Sequence, residues 1–101
     1  MDTSTLKHIL QEEMQKYTGE GYNDMAYLTV DETSQMYAII DIAQGRGTRV
    51  VSAVLVARLM NEQIVIDLDL HDKLLLDALK ARGVPETQIK LAYRDDLLSV
   101  S

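Results

Sequence analysis

Residues 81–94 read ARGVPETQIKLAYR, and they decide the fold class, because a helix here returns to a strand. Gly83 stands where a left-handed helix cap favours glycine, and Pro85 forbids helix continuation two residues later. Beyond it Ile89, Leu91 and Tyr93 alternate with Lys90, Ala92 and Arg94, the period of two of a strand. The spacing predicts a strand over 88–93 fed by a helix over 72–82 (DKLLLDALKAR). In that helix Leu75, Ala78, Leu79 and Arg82 share a face. Asp69 and Asp72 suit its N-terminal end, and Lys80 and Arg82 its C-terminal end, as the helix dipole prefers.

Upstream of this return the pattern is β. Residues 25–31 (MAYLTVD) alternate, and a polar turn, Asp31-Glu32-Thr33-Ser34, follows. Met36, Ala38, Ile40 and Ile42 mark one apolar face of the next strand, with Tyr37, Ile39 and Asp41 on the other. Gln44-Gly45-Arg46-Gly47 turns the chain into residues 49–59 (RVVSAVLVARL), apolar enough for a central strand. Asn61-Glu62 reverses it into residues 63–68 (QIVIDL). Nearest the start, residues 5–17 (TLKHILQEEMQKY) form an amphipathic helix. Leu6, Ile9, Leu10, Met14 and Tyr17 lie on one face, with Asp2, Thr3 or Ser4 available as its cap. The order is α-β-β-β-β-α-β. Short connections imply a four-stranded antiparallel meander with the helices on one face, a two-layer α+β fold in one domain over 1–101. The tail at 95–101 (DDLLSVS) is expected either to dock or to fray.

Composition narrows the function classes. With neither Trp nor Phe, the core is built from aliphatic residues and methionine, with five tyrosines at its edges. Tyr22, Tyr27 and Tyr37 gather in the first half, and sheet packing is preferred over an interface as their role. No cysteine is present, which removes disulfides, thiolate nucleophiles and cysteine-ligated metals and fits a cytoplasmic setting. No signal-peptide layout is seen, and the longest nearly unbroken apolar run, VVSAVLVA at 50–57, is far short of the roughly 20 residues that span a bilayer. Residues 1–44 carry eight acidic and two basic side chains, so they hold the whole net charge of −6. An acidic surface disfavours sequence-independent nucleic-acid binding and can attract a basic protein partner. Solubility alone is the simpler account of it.

Three constellations are candidates for chemistry. In DLDLHD (67–72), an uninterrupted strand would point Asp67, Asp69 and His71 to one face, where two carboxylates and an imidazole can hold a divalent metal. A polar strand edge followed by helix-capping residues explains the same residues and the alternating leucines, and is preferred. Arg46 and Arg49 cluster at one end of a hairpin, with Arg58 near the other, a weak phosphate-contact pattern that a protein interface or solvation accounts for as well. His8 pairs naturally with Glu12 four residues on. Neither GxSxG, GxGxxG nor a P-loop occurs.

The segment GVPETQIKLAYR (83–94) resembles the G-(V/I)-P-x-x-x-I-x-L-(A/G)-(Y/F) segment of the XisI family, the element excision controlling factors. The stretch YAIIDIAQGRGTRVVSAVLVARLMNEQIVIDLDLHDKLLLDALKARGVP also resembles the family's middle, so the likeness spans roughly residues 5–94. The chain departs from the family pattern at Val65, where many members have tryptophan, at Thr48-Arg49, where many have an arginine pair, and at Asn61-Glu62, where many have glycine. The resemblance implies a small α+β domain, chiefly cyanobacterial, linked to programmed excision of a DNA element from a nitrogen-fixation gene region. It implies an accessory protein without catalytic residues, cofactor or metal, acting through an XisH-like partner that resembles a nuclease fold. If that partner is a nuclease, acidic residues such as Glu12, Glu13 and Glu20 are candidates to mimic phosphate in its DNA groove. The alternatives are a DNA-binding factor using Arg46 and Arg49, and a metal-dependent enzyme using Asp67, Asp69 and His71. A homodimer through an exposed sheet edge is a further expectation.

Overall fold

The structure, a computed structural model, describes residues 1–94. The chain opens with helix α1 (Thr3–Gln15) and then builds strands β1 (Gly19–Glu20), β2 (Asp24–Asp31), β3 (Met36–Gln44), β4 (Arg49–Met60) and β5 (Gln63–Asp69). Helix α2 (Leu75–Ala81) and a single 3-10 turn (Glu86–Gln88) lead to strand β6 (Ile89–Leu91). The six strands lie in sequence order in one sheet. The four predicted middle strands form the antiparallel meander, extended at one edge by the two-residue β1. At the other edge β6 pairs parallel with β5, so α2 serves as the crossover that a parallel pair requires.

Local chemistry sets the element ends. Of the three candidate caps for α1, Asp2 takes the role, its Oδ1 accepting from the Thr5 amide at 2.8 Å. Gly83 adopts φ +89°, the Val84 amide donates to the Leu79 carbonyl and the Gly83 amide to that of Lys80, and Val84 is buried, so the helix stop is a Schellman cap. Asn61 and Glu62 hold φ of 50° and 60°, the two left-handed residues of a tight hairpin turn.

Helix α2 is shorter than the predicted 72–82, because Leu74 is extended and the chain from 70 to 74 runs over the surface before helix begins. The last strand is also shorter than predicted. It covers Ile89–Leu91, and residues 92–94 are helical despite their alternating pattern. The tail at 95–101 lies outside the described residues.

Both helices lie on one face of the sheet. Leu6, Leu10 and Met14 of α1 and Leu75 and Leu79 of α2 are fully buried against Tyr37, Ile39, Leu55 and Ile64. Each such side chain removed from water contributes about 1.5–3 kcal/mol before entropy is counted. The covered face of β3 is thus Tyr37 and Ile39, and the apolar row Met36, Ala38, Ile40, Ile42 points the other way. On that second face the pairings Tyr27–Ile40, Met25–Ile42 and Ile42–Val51 bring apolar side chains together across three strands. Neither α1 nor α2 covers it.

Candidate functional site

The candidate metal residues are separated by a β-bulge. Val56 pairs with Leu68 but Ala57 pairs with Ile66, so Asp67 is an extra residue in β5 and the side-chain alternation changes phase. Asp67 turns to the open face and takes a bidentate ion pair from Arg58, at 2.6 Å to Nε and 2.9 Å to Nη2. Asp69 turns to the helix side. One carboxylate oxygen accepts from the Leu75 amide at 2.7 Å, and the other meets the amide and Nδ1 of His71 at 3.0 Å. That side chain is buried and acts as the N-terminal anchor of α2, where Asp72 stays exposed. Among the described residues no three His, Asp or Glu side chains are placed to hold a metal ion.

His71 joins a different set of neighbours. Its ring lies 4.3 Å from that of Tyr17, and the Tyr17 hydroxyl donates to the Lys73 carbonyl at 2.7 Å. Burial pushes the Tyr17 hydroxyl up to about 12, with the charges of Asp69, Glu13 and Asp77 adding to the shift. Tyr17, His71, Lys73, Glu13 and Asp77, with Lys16 and Leu74, border a groove of about 760 Å³ between the end of α1 and the approach to α2.

Beside the groove, β2 and β3 bring Asp24 and Asp41 together on the helix side. A hydrogen bond shared with Asp24 and burial hold the Asp41 carboxyl above its usual range; the Asp24 charge adds to this and His71 opposes it. This pair is set by strand register, with Asp24 opposite Ala43 and Asp41 opposite Ala26, and no local motif announces it.

The acidic residues of α1 are engaged internally. Glu13 is the buried charged side chain of the helix, at 4% exposure, and accepts from Lys16 at 2.8 Å and from Arg82 at 2.7 Å. Burial pushes its carboxyl up, and the two cations outweigh that and leave it below its usual range. Arg82 also reaches Glu12 at 2.7 Å, so one guanidinium from α2 ties down both carboxylates. His8 pairs with Glu12 at 3.3 Å, the helix-surface pair its spacing predicts. These contacts leave Glu12 and Glu13 little free charge to present as a phosphate mimic.

Arg46 and Arg49 sit at the exposed β3–β4 hairpin, and among the described residues neither enters an ion pair. Arg58 stands at the far end of β4, as the spacing predicts, held to Asp67. Of the tyrosines, Tyr37 is fully buried, Tyr27 lies on the open face and Tyr22 is almost wholly exposed. No helix is long and apolar enough to cross a membrane among the described residues.

Known proteins share this architecture. The fdxN element excision controlling factor XisI from Anabaena variabilis ATCC 29413 has a crystal structure that superposes with a TM-score of 0.70 at 24% identity, covering 87% of this chain and 88% of that one. A XisI-like protein from the same organism superposes with a TM-score of 0.69 at 18% identity, covering 87% and 80%. At these identities the likeness establishes the fold. A search of curated proteins gives no significant match. The family model for XisI protein matches residues 1–98, nearly the whole chain and both the meander and the Gly83–Tyr93 return, and by that match the chain belongs to the XisI family.

Proposed function

We propose that this protein is a non-enzymatic accessory factor in the controlled excision of a DNA element, acting by binding another protein. The observation that carries this reading is the XisI family match over residues 1–98, together with a fold shared with an excision controlling factor. The internal use of the polar residues supports it. Asp67 is engaged by Arg58, Asp69 anchors α2, and Glu13 is closed off by Lys16 and Arg82. The partner we propose is an XisH-like protein of nuclease fold. The test is a tagged pull-down from the native host with mass-spectrometric identification of what is bound. A stoichiometric XisH-like protein is the expected result, and recovery of the tagged chain alone overturns the reading.

A second reading, direct DNA contact, has one observation in its favour: the exposed Arg46 and Arg49 at a hairpin end, outside the ion pairs of the described residues. It requires steeply salt-dependent retardation of element-end DNA. Absence of retardation at low salt removes it.

A further inference from the structure

The sheet face turned away from the helices is apolar along its middle and oppositely charged at its ends. In the middle, Tyr27 (47% exposed), Ile40, Ile42 and Val51 (59% exposed) adjoin across β2, β3 and β4. At one end the β3–β4 turn carries Arg46 and Arg49; Glu20, at the same end, sits out on the edge strand β1. At the other end the β2–β3 turn carries Asp31 and the β4–β5 turn carries Glu62; Glu32 is drawn to Lys7 of α1, and Arg58 at this end is matched by Asp67. The edges themselves offer little ladder to extend, since β1 has two residues and β6 three.

We propose that two copies stack these faces as a homodimer, with the two-fold axis lying in the interface and across the strands. That operation reverses strand direction but keeps strand order. It lays Arg46 and Arg49 of one copy over Asp31 and Glu62 of the other, twice by symmetry. An axis along the strands would set arginines over arginines, so the charge pattern selects the first arrangement. The apolar middle then becomes the core of a sheet-on-sheet contact about 10 Å thick, with the charged turns as its rim.

The purified chain alone tests this, independently of any other partner. Sedimentation velocity across a concentration series is expected to show a monomer–dimer equilibrium. Val51→Glu and Tyr27→Glu, both at exposed positions, are expected to weaken it at least about 100-fold, the scale of carrying an unpaired carboxylate into an apolar contact. Circular dichroism checks that both variants fold. The chain has no cysteine, so introduced ones report contacts cleanly. Arg49→Cys combined with Glu62→Cys is expected to give a disulfide-linked dimer, and Arg49→Cys alone is not. A monomer at all concentrations up to about 100 μM, a concentration at which a micromolar dimer would be nearly complete, overturns the proposal. So does a dimer indifferent to Val51→Glu and Tyr27→Glu, or crosslinking through Arg49→Cys alone.

Discussion

Tyr37→Phe is expected to make the protein more stable. Tyr37 is fully buried beneath the helices, and among the described residues its hydroxyl has no hydrogen-bond partner. Leaving such a group desolvated and unmatched costs about 1–3 kcal/mol, whereas the phenylalanine ring keeps the packing and removes the cost. Taking the low end, the gain is about 1 kcal/mol, which shifts the melting temperature up by roughly 4–8 °C in a domain of this size. In urea the midpoint rises by roughly 0.5–1 M with unchanged slope.

The pH dependence gives a second check on the same residue. Burial raises the Tyr37 hydroxyl above its usual range, opposed by Lys7 and aided by Glu32. A raised value means the stability is fully present below the unfolded tyrosine pKa of about 10 and is lost as pH climbs through the folded one. Tyr37→Phe therefore flattens the alkaline decline, leaving the part due to Tyr17, which extends to about 12. Urea titrations at pH 7 and at several values above 10 measure both effects. A variant 1 kcal/mol less stable at pH 7 refutes the reasoning, since the hydroxyl would then have a partner worth keeping.

The other predictions concern charge and backbone. Asp41→Asn relieves the Asp24–Asp41 contact. Because the Asp41 carboxyl is raised, the native protein loses stability as pH rises past about 4, so the variant's advantage opens above that pH and closes below it; thermal melts from pH 3 to 8 show this. Arg82→Met releases Glu12 and Glu13, both held below their usual range; the stability they contribute is present above about pH 4.3 and fades as pH falls through the lowered values. The variant should thus be weaker at pH 7 and converge on the parent in acid, as paired melts would show. Gln35 has φ 52°, and Gln35→Gly is expected to add about 0.5–1 kcal/mol by removing left-handed strain, less the entropy glycine costs, read by urea unfolding.

Much of the fold could be read from the chain because its signals are local. The Gly83 cap, the Asn61-Glu62 reversal, the alternation in β2 and the apolar run of the central strand β4 each depend on a few neighbouring residues, and each appears as expected. The inner face of β3 did not reveal itself, because Met36, Ala38, Ile40 and Ile42 are as apolar as Tyr37 and Ile39 and only the helices decide between them. Residues 92–94 alternate like a strand but run past the ladder, which ends at Leu91 opposite Ile66. The candidate site fared differently. Asp67 and Asp69 form one constellation only on an unbroken strand, and the bulge that parts them has no sequence mark of its own. Asp24 with Asp41, and Glu13 with Arg82, are brought together by register and packing across long separations, which spacing rules cannot see.

The sequential strand order has a kinetic consequence. From β2 to β5 each strand pairs with its chain neighbour through a short turn, so the meander closes only small loops as it forms. Helix α1 must instead find α2 and β5 from the far end of the chain, and β6 must cross over α2 to reach β5. Long-range closures of this kind come late and slow a folding reaction. Substitutions in the hairpin turns should then change the rate of folding, whereas shortening Leu10 or Leu79 should mainly speed unfolding. The layer that completes the core would also be the first to let go.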